Sequence, residues 1–197
     1  MRPKLRSQAM VESVSSPRRI TVDEYYDMAH AGVFAPDEHV ELIEGEVVRV
    51  APIGDRHASA VEALDELLHQ AVAGRARVRC QMPVRLGEYS QPEPDLVVMR
   101  PRTGRNDRGH PSADDVFLII EISVSTLRYD LDTKVPLYAR HGVPEVWVID
   151  LKYYKLHVYK SPVEGSYKHV TSVPNAGRAA ISGVDGATVD LSEILSG

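Results

Sequence analysis

The chain has 197 residues, a formal net charge of −5 and a sequence pI near 5.9, with 43% hydrophobic and 26% charged residues. Such a composition excludes a disordered chain, and the acidic balance excludes a sequence-independent nucleic-acid coat, which needs many phosphate-neutralising Lys and Arg. A single cysteine, Cys80, leaves no intramolecular disulfide framework and no cysteine-rich zinc site. No stretch approaches the ~20 apolar residues of a membrane span. Residues 1–19 are basic without the apolar core of a signal peptide, so they are expected to be a flexible arm on one domain over 20–197, in the cytoplasm.

In chain order, Thr21-Val-Asp-Glu24 reads as a capping box opening a helix that ends near Gly32. Residues 38–51 alternate apolar and polar side chains as two short strands hinged at Glu44-Gly45. Over 55–73, Ala58, Val61, Leu64, Leu68 and Val72 recur at helical spacing, and Gly74 stops the helix. Strands are expected at 76–86, interrupted at Pro83, and at 95–99. Residues 101–114 are polar and read as an exposed loop. The near-continuous apolar run 116–122 is the pattern of a strand covered on both faces. A helix over 130–140 must accommodate Pro136 as a kink or first-turn residue. A buried strand at 146–149, a hairpin of 156–159 with 167–170 around Glu164-Gly165, and a tail of strand and helical turn at 190–195 follow. The order implies an α/β chain with one mixed sheet and helices packed on it.

Several residues in this frame carry chemistry. Asp95 opens an apolar strand, where Asp is a poor strand former; a turn cap and a functional carboxylate both explain it. Glu121 interrupts the most buried strand, and an ionised carboxylate there must be paired, protonated or metal-bound. Lys134 lies on the following helix four residues after Asp130, the spacing of an ordinary surface ion pair. Glu41, Glu44 and Glu46 form an acidic cluster, with Glu44 at the hairpin hinge, where it can point toward the sheet or simply be solvated. His57 is a weaker candidate, and the other seven histidines show no zinc-like spacing. Two strand carboxylates and a lysine suit a hard cation such as magnesium, which binds oxygen ligands and phosphates.

The ordered set resembles one family. It runs Val40-Glu-Leu-Ile-Glu-Gly-Glu46, His57, Pro94-Asp-Leu-Val-Val98, Ile120-Glu-Ile-Ser123, Asp130-x-x-x-Lys134 with Tyr138, and Gly142-Val-Pro-Glu-Val-Trp-Val-Ile-Asp150. This succession is similar to the Uma-two family of restriction endonucleases, within the PD-(D/E)XK nuclease superfamily, over about residues 20–195. The resemblance implies a restriction-endonuclease-like core: a helix over 55–73, strands around Arg79, Asp95 and Glu121, a second helix carrying Lys134, and a last strand at 146–149. It further implies that Asp95 and Glu121 hold Mg2+ (or Mn2+) and that Glu44 completes the metal shell. The superfamily lysine usually follows the glutamate by two residues, where this chain has Ser123, so Lys134 is the candidate lysine displaced to the adjacent helix.

By this resemblance the chain is expected to be a metal-dependent endonuclease, with Asp95, Glu121, Lys134 and Glu44 catalytic, DNA as substrate and a homodimer possible. Arg100, Arg102, Arg105 and Arg108 would contact phosphates. Two alternatives stand beside it: a nuclease-like fold serving as a non-catalytic binding or assembly module, and a hydrolase of small phosphate esters.

Overall fold

A computed structural model describes residues 17–50, 52, 54–101 and 109–196. Residues 1–16 of the arm expected over 1–19 and the loop arginines Arg102, Arg105 and Arg108 lie outside these residues.

The capping box forms as expected. Thr21 accepts the Glu24 amide, Glu24 accepts the Thr21 amide, and α1 runs over Val22–His30. Strands β1 (Val40–Ile43) and β2 (Glu46–Arg49) pair antiparallel. Their turn places Glu44 at φ 52° and Gly45 at φ 86°, both left-handed, as a two-residue hairpin turn requires. Gly45 has a second constraint: a Cβ there would meet the Arg19 Cβ at 2.5 Å. Helix α2 (Asp55–Val72) buries Val61, Leu64, Leu68 and Val72 as its periodicity implies, but Ala58, expected on that stripe, is exposed, and Ala60 is buried instead.

The central sheet has six strands in the order β3 (Arg77–Cys80), β4 (Leu96–Met99), β5 (Val116–Ser123), β6 (Glu145–Asp150), β7 (Lys155–Val163) and β8 (Ser166–Pro174). All neighbours are antiparallel except β5 and β6. A parallel neighbour demands a crossover, and the helical segment between β5 and β6 supplies it. Small strands β9 (Arg178–Ala180) and β10 (Thr188–Asp190) pair separately. The fold is therefore mixed α and β, a central mixed sheet flanked by helices with an N-terminal helix and hairpin.

Both faces of β5 are covered, as its apolar run implies. Leu118, Ile120 and Ile122 join the core against α2, whereas Ile119 joins a second core with Leu137 and Tyr138. Alternation then puts Glu121 on the Ile119 face, beneath the crossover helices.

Three elements depart from expectation. The strand expected over 76–86 is confined to β3, because Gln81 turns left-handed at φ 46° and Pro83 has no amide to donate. The hairpin strands β7 and β8 run nine residues each rather than four, since backbone pairing continues past the apolar segment into exposed polar residues. The helix expected over 130–140 begins earlier, as α3 (Leu127–Tyr129), widens into a π-helical stretch over Asp130–Lys134, and continues as α4 (Val135–Arg140). Pro136, in the first turn of α4, explains the widening. It offers no amide to the Asp132 carbonyl and its ring crowds that position, and the Val135 amide just before it reaches past Leu131 to the Asp130 carbonyl.

Candidate active site

One cleft of about 750 Å³ collects Glu41, His57, Glu93, Asp95, Glu121, Tyr129, Asp130 and Lys134. Each arrives on a different piece of the framework. Asp95 immediately precedes β4, and because Leu96 pairs with Ile120, it stands beside Glu121 at the end of β5. Its Oδ2 accepts the Ile122 amide at 2.7 Å, and its Oδ1 lies 3.0 Å from His57 Nε2 in the first turn of α2. Asp95 thus ties β4, β5 and α2 together at one point.

Lys134 is 6% exposed, yet its Nζ is 3.1 Å from Glu41 Oε1 and 3.2 Å from Glu121 Oε1. Glu121 is 3% exposed and also accepts the Tyr138 hydroxyl at 2.5 Å. Glu41, likewise 3% exposed, accepts the Glu93 amide, while its Oε2 is buried without a partner. Asp130 does not form the expected pair with Lys134; its Oδ2 is taken by Ser123 Oγ at 2.6 Å and Thr126 Oγ1 at 2.8 Å. Ser123 therefore anchors the crossover helix.

Burial pushes the Glu121 carboxyl well above its ordinary range; the Lys134 ammonium opposes that, and Asp130, Asp95 and Glu41 add to it. For Lys134, burial works against the charge, but Glu121, Glu41 and Asp130 outweigh it and hold the amine protonated. Donating a hydrogen bond to Asp95 raises His57 against the opposing effect of burial. Desolvation and the neighbouring Glu41 raise Glu93.

Asp95, Glu121 and Lys134 thus meet in one cleft, with His57 added. Glu44 does not. It sits in the β1–β2 turn, its side chain 51% exposed, in an ion pair with Arg140 at 3.0 Å. The acid that the hairpin contributes is Glu41, because the turn carries Glu44 past the end of the strand. Alternation of Val40, Glu41 and Leu42 marks Glu41 as a polar, solvent-facing position, but that face of the hairpin covers the cleft. Glu93 and Tyr129 also escape sequence reasoning; the signal for Glu93 is its place two residues before Asp95 in extended chain. Arg100 is engaged locally, donating to the Asp114 carbonyl at 3.0 Å with its guanidinium over the Phe117 ring.

Among the described residues, no three Asp, Glu, His or Cys side chains converge closely enough to hold a metal ion as they stand. Donor chemistry nonetheless suits a hard cation: carboxylates crowd the cleft, and one buried oxygen, Glu41 Oε2, has no partner. No helix among the described residues is long and apolar enough to cross a membrane.

A crystal structure of a putative nuclease belonging to DUF820 from Anabaena variabilis shares this fold, with a TM-score of 0.68 at 19% identity, covering 90% of this chain and 98% of that one. No curated protein matches the sequence. Residues 22–192 match the Uma2 family, described as "Putative restriction endonuclease". That match spans the hairpin, the cleft and the whole central sheet, and the chain belongs to the Uma2 family.

Proposed function

We propose that the chain is a metal-dependent endonuclease that hydrolyses DNA phosphodiester bonds in this cleft. The observation that carries the reading is the convergence of Glu121 and Glu41 on the buried ammonium of Lys134, with Asp95 lining the same cleft. Asp95 and Glu121 are the residues that would hold Mg2+ or Mn2+, with Glu41 taking the place expected for Glu44. Such a cation, when bound, supplies Lewis-acid charge to a phosphoryl oxygen. Lys134 orients the attacking water and offsets charge that develops on the transferring phosphoryl group. His57 fixes the Asp95 carboxylate, and Tyr138 fixes that of Glu121. A cytoplasmic two-fold dimer is the assembly suited to cutting both strands.

Calorimetric titration of Mn2+ into wild type, Asp95→Ala and Glu121→Ala tests the site, followed by cleavage of single- and double-stranded DNA in Mg2+. Saturable binding and cleavage, both lost in each variant, are expected. Metal binding and cleavage that survive both substitutions overturn the reading.

A non-catalytic binding module is the second reading, favoured by the way Lys134 and His57 already engage the carboxylates. It requires DNA binding that Asp95→Ala leaves intact, without cleavage by the wild type.

A further inference from the structure

Carboxylates wall the cleft and the chain carries a net charge of −5, so a polyanionic strand needs cations beside the cleft to stay there. Two cations of the cleft are already engaged, Lys134 with Glu41 and Glu121, and Arg49 with Glu38. Arg56, Lys152 and Lys155 are different. Among the described residues none of the three makes an ion pair, and each lies over an aromatic ring. Arg56 Cζ is 5.2 Å from the ring centroid of Tyr154, Lys152 Nζ is 5.2 Å from that of Tyr153, and Lys155 Nζ is 6.0 Å from the same ring.

The sequence behind this island is Lys152-Tyr-Tyr-Lys155, at the turn from β6 to β7. The turn is firmly held. Asp150, itself 1% exposed, accepts the amide of Lys152 at 3.0 Å and that of Tyr153 at 3.1 Å. Tyr154 is left-handed at φ 52°, and its carbonyl accepts the Asn175 amide at 2.8 Å. So fixed, the turn leaves Tyr153 57% exposed. A lone exposed tyrosine is ordinary, but this one is presented by a buried carboxylate between two unpaired lysines.

The turn also adjoins the cleft. Ser123 lies beside Asp150 in the parallel pair of β5 and β6, and the Leu151 amide donates to the Ser123 carbonyl. The next residues, Val124, Ser125 and Thr126, are cleft wall. Arg56 completes the connection, since it lines the cleft and donates to the Leu151 carbonyl. Phosphates suit the lysines, whose contacts with an exposed ring are weak and exchangeable. The ring they leave is a stacking face, and only an unpaired base has a free face to meet it, because bases inside a duplex are covered by their neighbours.

We propose that the Lys152-Tyr-Tyr-Lys155 turn, with Arg56, docks a single-stranded DNA segment, one base stacked on Tyr153 and the flanking phosphates on Lys152 and Lys155. That this strand leads into the cleft rests on the hydrolase reading above, whereas the docking itself needs no metal.

Fluorescence anisotropy in chelator tests it, with a labelled oligothymidylate and a blunt duplex of equal length. Wild type, Tyr153→Ala, Tyr153→Phe and the double variant Lys152→Gln with Lys155→Gln are compared. The wild type is expected to bind the single strand more tightly than the duplex. Tyr153→Ala should weaken single-strand binding roughly 10-fold, and Tyr153→Phe, which keeps the ring, should restore it. The double lysine variant should reduce the slope of log K against log salt by about 1.4, the loss of two phosphate contacts. Equal single-strand binding by wild type and Tyr153→Ala, an unchanged salt slope, or no single-strand binding by the wild type overturns the docking surface and leaves the hydrolase reading standing. Cleavage assayed in Mg2+ separates the two. The expected binding pattern without any cleavage keeps the docking surface and removes the hydrolase reading.

Discussion

Lys134 Nζ and Glu41 Oε1 meet at 3.1 Å although 93 residues separate them in sequence, joining the N-terminal hairpin to the crossover helix over the end of β5. Because Glu121 shares the same ammonium, one cation serves two buried carboxylates. Removing the lysine is therefore more damaging than removing either acid. Lys134→Met strands both carboxylates and is expected to cost about 3–5 kcal/mol. Glu121→Gln leaves Lys134 paired with Glu41 and should cost less, and the double variant should fall short of the sum of the two. Urea denaturation of the wild type and the three variants gives the comparison; additive costs would show that the pair is not coupled.

Tyr138 is fully buried, and its hydroxyl donates to Glu121 Oε1. Tyr138→Phe leaves the ring packing intact and removes a hydrogen bond to a carboxylate, for an expected loss of about 1.5–3 kcal/mol. The contrast with Tyr129→Phe is the informative part, since the Tyr129 hydroxyl is buried without a partner. Equal melting temperatures for the two variants would contradict that difference.

These relationships also show which parts of the molecule were legible in sequence. Period and capping announced α1 and α2, and the run 116–122 announced a strand covered on both faces, because each signal is local. Asp95 and Glu121 stood out because both break a local rule, an acid in a strand. Glu41 broke none: it occupies the polar position of an alternating strand, and only the tertiary placement of the hairpin turns that face onto the cleft. The π-helical widening was signalled by Pro136, but where it puts Lys134 depends on the helix lying over the sheet. Backbone pairing that needs no apolar side chains hid the outer halves of β7 and β8.

Glu44 supplies a control within the hairpin. Its carboxylate pairs with Arg140 at 3.0 Å, with both side chains substantially exposed. Such a pair is worth at most about 1 kcal/mol and is screened by salt. Glu44→Ala is expected to leave Mn2+ binding and cleavage at wild-type levels, with a small stability loss that fades in high salt. Loss of metal binding in that variant would return Glu44 to the metal shell.

His57 makes the site sensitive to pH in a defined direction. Its hydrogen bond to Asp95 raises the folded-state pKa above the unfolded value of about 6.5, despite burial. A raised folded-state value means that protonation stabilises the fold. The contribution is complete below the unfolded value and is lost as pH rises through the higher folded one. Burial lowers His110, His141 and His157, which therefore act in the opposite sense and lose stability as pH falls. A stability profile of the wild type alone mixes the two. The difference between wild type and His57→Gln, followed by urea denaturation in chelator across the histidine range, cancels the three shared groups. That difference should be largest on the acid side and shrink as pH rises above about 6.5. A difference that grows with pH would mean that the Asp95–His57 contact is made by the neutral imidazole, and that His57 contributes no charge to the cleft.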